Sequence, residues 1–66
     1  MINESLSSRE IEVLKMAAEG NNCRHIARAL FISENTCETH RRNILLKLGA
    51  KNMTEAVYVA VKRGII

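Results

Sequence analysis

The amino-acid sequence predicts an all-α domain of four short helices. Apolar residues recur at spacings of three, four and seven, and no run alternates apolar and polar residues for long enough to form a strand. A serine or an asparagine stands before each periodic segment, and each of the three glycines stands just after the end of one. The 66 residues, none of them proline, suffice for one small domain whose core is near the size limit for independent stability.

The first helix is predicted over residues 8–19. Ser7 is its N-cap, and Glu10 lies where its side chain completes a capping box with the backbone of Ser7. Gly20 ends the helix. The inward face is expected to consist of Ile11, Leu14 and Ala18, with Val13 and Ala17 beside them. Residues 1–5 precede the cap and are expected to be a disordered lead.

The second and third helices are predicted over residues 23–30 and 34–48, after an asparagine and a serine N-cap. The inward faces are expected to be Ile26, Ala27 and Leu30 in the second helix, and Cys37, Ile44 and Leu48 in the third. Phe31 and Ile32 form the short connection and are expected to plug the core at the turn. Two short helices joined by so tight a turn are typical of a helix-turn-helix, which becomes the centre of the fold.

The fourth helix is predicted over residues 53–63, between an N-cap at Asn52 and a closing glycine at Gly64. Its inward face is expected to hold Met53, Val57, Ala60 and Val61. Its outward face is expected to hold Glu55, Tyr58, Val59 and Lys62. A tyrosine and a valine facing solvent are too small a patch to indicate an interface by themselves.

The basic residues are concentrated around the third helix. Residues 21–51 contain six basic and two acidic side chains, whereas the rest of the chain contains four basic and five acidic ones, and the net charge is +3. Such a local excess is what a polyanion-binding surface requires. Only two aromatic residues occur, which argues against a stacking platform for single-stranded nucleic acid.

Several other functions are disfavoured. So short a chain leaves little room for an enzyme cleft beside a core, and no nucleophile–base pair or carboxylate dyad is evident, so neither catalytic residues nor cofactors are expected. No apolar run approaches the ~20 residues that span a membrane, and the N-terminus does not have the pattern of a signal peptide. The expected location is therefore the cytoplasm.

The outward face of the third helix carries polar residues suited to reading DNA. On a helical wheel this face collects Asn35, Glu38, Thr39, Arg42, Asn43 and Leu46. Short or forked polar side chains of this kind can bind the edges of base pairs. Taken alone, such a pattern is more often simply a solvated face.

Several segments together resemble the LuxR/FixJ/NarL-type helix-turn-helix domain. The matching residues are Leu6-Ser-Ser-Arg-Glu-Ile-Glu-Val-Leu14, Ile26-Ala27, Leu30-Phe-Ile-Ser33, Thr36, His40-Arg-Arg-Asn-Ile44, Lys47-Leu-Gly49, Ala56 and Gly64. The resemblance covers residues 6–66 without a gap. It implies a bacterial transcription regulator whose third helix enters the major groove and whose fourth helix pairs two copies on an inverted repeat. In most relatives such a domain follows a regulatory domain, often a phosphorylatable receiver.

This resemblance allows roles to be assigned to individual residues. Base edges are expected to be read by Arg42 and Thr39, followed by Asn35 and Glu38. Phosphates are expected at Arg24, Thr36 and Lys47, and secondarily at Asn22, His40 and Asn43. The dimer face is expected to be Glu55, Tyr58, Val59 and Lys62, and RNA polymerase is a further candidate partner. Arg41 is expected to snorkel or to pair with an acidic residue of the first helix, Glu10 or Glu12.

The sequence also departs from the family pattern. Cys37 and Glu38 stand where valine and lysine are usual, Met53 and Leu46 replace residues that are commonly polar or basic, and Cys23-Arg24-His25 replaces Asn-Lys-Glu. Glu38 and Leu46 leave a second hypothesis open. In it the same fold is a protein-interaction module that has lost or weakened DNA binding.

The two cysteines have a structural explanation. Cys37 is expected to be a small buried hydrophobe in place of valine. A zinc site combining Cys23 and His25 with Cys37 and His40 is not expected, because Cys23 and His25 point about 160° apart on their helix. A disulfide is not expected in the cytoplasm.

Overall fold

The computed structural model describes residues 6–66, which form four α-helices and no strand. In order they are α1 (Ser8–Ala18), α2 (Cys23–Leu30), α3 (Glu34–Leu48) and α4 (Met53–Lys62). The predicted all-α architecture is confirmed. Only the ends of α1 and α4 differ, each by one residue, because Glu19 and Arg63 are C-caps rather than helical residues. The expected disordered lead, residues 1–5, lies outside the described residues.

Each helix begins at a side chain that accepts an otherwise unpaired backbone N–H of the first turn. The cap oxygens of Ser7, Asn22, Ser33 and Asn52 accept the N–H three residues on, at 2.8–3.1 Å. In α1 the capping box is complete, since the Glu10 carboxylate also accepts the Ser7 N–H at 2.9 Å. Helices of 8–15 residues are marginal in isolation, so these caps help to define where each one starts.

The third helix is the centre of the core, because its contacts with each of the other three helices are more extensive than any contact among those three. Its buried residues Cys37, Ile44 and Leu48 were predicted and are confirmed. Around them lie the buried apolar residues of the other helices: Val13, Leu14, Cys23, Ile26, Ala27, Ala56 and Ala60. The helix that carries the exposed polar face is therefore also the one that the core holds most firmly.

The prediction for Phe31 was wrong. Its side chain is 94% exposed, whereas Ile32 packs partly against the core. Phe31 is the C-cap of α2 and adopts a left-handed backbone with φ of 57°, which turns its side chain away from the domain. The Ile32 N–H returns to the Ala27 carbonyl at 3.0 Å and closes the turn. The core is plugged at this turn by one residue instead of two.

The inward faces of α1 and α4 differ from the prediction near their ends. Ala18 and Val61 were expected inside but are exposed, and Val59 was expected outside but packs partly against the core. In α4 the innermost strip is Ala56 and Ala60, both fully buried. Because successive residues advance by about 100°, Val59 stands about 80° from this strip and Val61 about 120°. No helix within residues 6–66 is long and apolar enough to cross a membrane.

Candidate nucleic-acid interface

The outward face of α3 displays all four residues expected to read base edges. Asn35, Glu38, Thr39 and Arg42 are exposed, and they follow one another at spacings of three, one and three. These spacings place the four side chains on one side of the helix. Leu46, 74% exposed, extends the face towards the C-terminal end of α3.

Glu38 is paired within its own helix. One of its carboxylate oxygens lies 3.3 Å from the Arg41 guanidinium, one turn further along. Arg41 was expected to snorkel or to pair with Glu10 or Glu12 of α1, whereas the structure pairs it with Glu38 of its own helix. Both side chains are substantially exposed, so the pair offsets the negative charge of Glu38 without contributing much stability. Together with Arg42 and Leu45, the two line a shallow cleft of about 270 Å³ on the surface of α3.

The two threonines of this surface are partly committed to their own helix. The Thr36 hydroxyl oxygen accepts from the Ser33 hydroxyl at 2.9 Å, which leaves the hydroxyl hydrogen of Thr36 available to a phosphate oxygen. The Thr39 hydroxyl donates to the Asn35 carbonyl at 3.1 Å. Thr39 consequently presents its methyl group and its hydroxyl lone pairs outward, and such a methyl can contact the thymine methyl in the major groove.

Helix α2, which packs against α3, carries exposed basic side chains. Arg24 is exposed near the N-terminal end of α2, where Asn22 is exposed as the N-cap. Arg28, one turn after Arg24, is also exposed and extends the same face, although it was not among the predicted site residues. The i, i+4 spacing of the two arginines was the available signal. His40 and Asn43, the other candidates for phosphate, are half-buried.

Lys47 was expected at a phosphate, but the structure pairs it with α1. Its ammonium nitrogen lies 2.9 Å from a carboxylate oxygen of Glu10. Glu10 is 4% exposed and is the one buried charged residue among residues 6–66. Burial raises the pKa of the Glu10 carboxyl, but the hydrogen bonds from Lys47 and Ser7 outweigh burial, so its pKa lies below the ordinary 4.5. Glu10 is accordingly a carboxylate at neutral pH.

The two thiols lie inside the helix-turn-helix. Cys37 is fully buried and Cys23 nearly so, and neither is in a disulfide. Burial and the hydrogen bond with Cys23 raise the pKa of the Cys37 thiol to about 12. Cys37 is therefore the small buried hydrophobe that was predicted. Within residues 6–66, no three His, Cys, Asp or Glu side chains converge in a way that could hold a metal ion.

The outward face of α4 differs in part from the expected dimer face. Tyr58 and Lys62 are exposed, with the Lys62 ammonium 5.9 Å from the centre of the Tyr58 ring. Val61, 57% exposed, lies on the outer side of the helix, where Val59 was expected. The Glu55 carboxylate accepts the Lys51 N–H at 2.6 Å and so closes the loop before α4.

A tight helix–turn–helix with an exposed polar face on its second helix and flanking arginines defines the helix-turn-helix class of DNA-binding domains. Residues 4–60 match the family described as bacterial regulatory proteins, luxR family. The chain belongs to this family of DNA-binding transcription regulators, which are not enzymes.

Two proteins of similar sequence are regulators much longer than this chain. An uncharacterised transcriptional regulatory protein, YxjL of Bacillus subtilis, is 43% identical over 63 residues, which are 96% of this chain and 29% of the relative. The oxygen regulatory protein NreC of Staphylococcus aureus is 41% identical over 61 residues, 92% of this chain and 28% of the relative. The chain thus spans less than a third of either regulator.

Solved structures of related proteins share the fold closely. The response regulator ChrA of a heme-sensing two-component system superposes with a TM-score of 0.93 at 41% identity, over all of this chain and 33% of that one. The transcription factor GerE superposes with a TM-score of 0.86 at 29% identity, over 92% of each chain. The matched region therefore makes up nearly all of the GerE chain and about a third of the ChrA chain.

Proposed function

We propose that this chain is the DNA-binding part of a bacterial transcription regulator and inserts α3 into the major groove of double-stranded DNA. The observation that carries the proposal is the set of four polar side chains exposed on one side of α3: Asn35, Glu38, Thr39 and Arg42. Arg24 and Arg28 are exposed on α2, which packs against α3, and exposed arginines on this neighbouring helix suit the phosphates along the edges of the groove. Because its partner is DNA, the protein acts in the cytoplasm.

Each reader has a base partner that its chemistry favours. Arg42 can fork onto the two acceptors of guanine, and Asn35 can pair with adenine through its amide. Thr39 offers a methyl group to thymine, and Glu38 can accept only from a donor such as the cytosine amino group. Arg24 and Thr36 anchor to phosphates, with Asn22, His40 and Asn43 as secondary contacts, and these anchors carry no sequence information.

Assembly on DNA follows from α4. Two copies would pair through the exposed side of α4 and occupy the two halves of an inverted repeat, since protein and site symmetry match in dimeric helix-turn-helix proteins. Tyr58, Val61 and Lys62 form the exposed part of that surface. NreC and ChrA are described as an oxygen regulatory protein and a response regulator. By analogy we place this domain at the output end of a signal-responsive regulator, with RNA polymerase as a further partner.

The test is selection of bound sites from random duplex DNA, followed by titrations at several salt concentrations. An enriched inverted repeat and an affinity that falls steeply with added salt are expected, because binding releases counterions from the duplex. Arg42→Ala should lose roughly 1–3 kcal/mol of discrimination at one base position. Arg63→Ala removes the same charge at the far end of α4 and should leave that discrimination unchanged.

The contrary result would favour the protein-interaction hypothesis. No enrichment of any duplex sequence, together with salt-insensitive capture of a protein partner by the Glu38 and Leu46 surface, would remove DNA reading from α3. The 74% exposure of Leu46 is the observation that keeps this test necessary.

A further inference from the structure

We propose that Glu10 and Lys47 form a buried electrostatic tether that fixes α3 about its own axis, so that Lys47 is a positioning residue for DNA binding and not a phosphate contact. The proposal rests on the DNA-binding function proposed above. It reverses the role expected for Lys47 from the sequence.

The tether joins two distant parts of the chain. A single carboxylate oxygen of Glu10 accepts both the Ser7 N–H and the Lys47 ammonium, each at 2.9 Å. The Glu10 side chain is 6% exposed and the Lys47 side chain 26%. A carboxylate so buried requires a paired cation, because an unpaired buried charge is strongly unfavourable.

The position of each charge in its helix supports the pairing. Glu10 lies in the first turn of α1 and Lys47 in the last turn of α3. The N-terminus of a helix favours negative charge and the C-terminus positive charge. Both residues therefore interact favourably with their own helix as well as with each other. The capping box orients Glu10 further, because the Ser7 N–H holds the carboxylate oxygen that Lys47 contacts.

Helix geometry shows what the tether controls. With an advance of about 100° per residue, Lys47 lies about 140° around α3 from Arg42 and about 180° from Glu38. Asn35 and Thr39 lie nearer, about 120° and about 80° around the helix from Lys47. Holding Lys47 against α1 consequently holds Glu38 and Arg42 on the opposite side of α3 and fixes the direction in which Asn35 and Thr39 point. A recognition surface has to be held within roughly 10–20° of its productive orientation, and this pair limits rotation near the C-terminal end of α3.

The experiment uses the variant Glu10→Gln/Lys47→Met, which keeps the net charge of the protein. Glutamine retains an oxygen for the Ser7 N–H and needs no cation, so this variant is designed to fold. On one selected duplex, its affinity is expected to fall by on the order of tenfold, the cost of one misplaced base contact. The slope of log affinity against log salt is expected to stay unchanged, because no phosphate contact is lost.

The matched comparison is Arg24→Ala, which removes a cation proposed to bind phosphate. Its salt slope is expected to become shallower by about 0.9, the value for one phosphate contact on duplex DNA. An equal change of slope in the double variant would show that Lys47 binds phosphate and would overturn the proposal. Unchanged affinity and slope in the double variant would overturn it as well.

A second measurement needs no DNA and so separates this proposal from the proposed function. Native-state hydrogen exchange should show loss of protection in Glu10→Gln at the Ile11 and Ala50 amides, which close the first turn of α1 and follow the last turn of α3. The Ile26 amide in α2 is the control and should be unaffected. Lys47→Arg keeps the cation and should retain the protection of the Ile11 and Ala50 amides. Equal loss of protection at all three amides in Glu10→Gln, or loss of protection in Lys47→Arg, would show that the pair contributes only to general packing and would contradict the proposal.

Discussion

Glu38 is the residue that most affects how the surface of α3 meets DNA. A carboxylate facing phosphates lowers affinity, and Arg41 offsets that charge from only one turn away, at 3.3 Å. Because the pair is exposed, water and salt weaken it, and it is worth at most about 1 kcal/mol. When the surface meets a base, Glu38 can therefore leave Arg41 at little cost and accept from a cytosine amino group.

Replacing Glu38 separates these two effects. Glu38→Lys should raise affinity for all duplexes, since it changes the local charge by two units and brings a cation to the groove. It should also alter base preference at one position, by roughly 1–3 kcal/mol of discrimination. Glu12→Lys makes the same charge change on the exposed side of α1 and is the control. Titration against single-base operator variants decides the matter, and equal discrimination by both proteins at every position would exclude Glu38 as a reader.

The lowered pKa of the Glu10 carboxyl predicts that the stability of the protein decreases in acid. Its pKa is lowered on folding, so its contribution is fully present above the ordinary value of 4.5 and is lost as pH falls through the folded pKa. Glu10→Gln should therefore lower the free energy of unfolding at pH 7 by roughly 1.5–3 kcal/mol. The difference in free energy of unfolding between the variant and the unsubstituted protein should become smaller in acid. Urea titrations at pH 7 and pH 3 provide the measurement. Glu12→Gln, altered in an exposed pair, should change little.

At the scale of elements, the turn between α2 and α3 shows a conflict between residue and backbone. The backbone of Phe31 is in the left-handed conformation that favours glycine. Because the Phe31 side chain is 94% exposed, almost no hydrophobic burial compensates for that conformation. Its backbone strain is on the order of 1 kcal/mol.

This conflict predicts an inversion of the usual ranking of alanine and glycine. Phe31→Gly should be more stable than Phe31→Ala by about 1 kcal/mol, because only glycine avoids the clash of Cβ in this conformation. Denaturant midpoints of the two variants measure the difference. A higher midpoint for the alanine variant would mean that the backbone relaxes out of the left-handed region once Phe31 is removed.

The rotation of α4 identifies which valine to change in a test of dimerisation. Val61→Glu should abolish cooperative occupancy of a duplex with two half-sites while leaving the fold intact, since Val61 is exposed. Val59→Glu should also destabilise the monomer, because Val59 packs partly against the core. Sedimentation on DNA and thermal unfolding distinguish the two, with Ala18→Glu in α1 as the charge control. Unchanged cooperativity in Val61→Glu would exclude α4 as the pairing surface.

The helices were predictable from the sequence because their signals are local. A cap such as Ser33 and its partner at Thr36 lie three residues apart, so the start of α3 was evident. The pairing of Glu10 with Lys47 spans 37 positions and has no local signal. The orientation of Val59 and Val61 likewise depended on tertiary packing, because the strip of Ala56 and Ala60 decides which side of α4 faces α3 and α1. Five of the six outward residues of α3 were predictable, since its inner face was unambiguous, whereas Asn43 was expected outward and is half-buried.

At the scale of the whole molecule, core and recognition surface are two sides of the same helix. Val13 and Leu14 of α1 and Ile26 of α2 are almost completely buried, and they lie in one core cluster with Ile44 of α3. Any ligand that binds the folded domain stabilises it in proportion to the logarithm of its concentration over its dissociation constant. Duplex DNA should therefore stabilise the entire domain, and not only α3.

The stabilisation by DNA can be measured through the rate at which the buried thiol of Cys37 is alkylated. With a pKa of about 12, the Cys37 thiol stays protonated at pH 8, whereas an exposed cysteine is partly thiolate at that pH. In addition, no reagent reaches the sulfur while it is fully buried. Alkylation of Cys37 at pH 8 should therefore report the opening of the whole domain, and be slower than that of Cys23, which is 8% exposed and lines a cleft. Added duplex should slow labelling of Cys37 further. The time course of labelling of each cysteine, followed by mass spectrometry, would then give the rate at which the whole domain opens, from a residue inside α3.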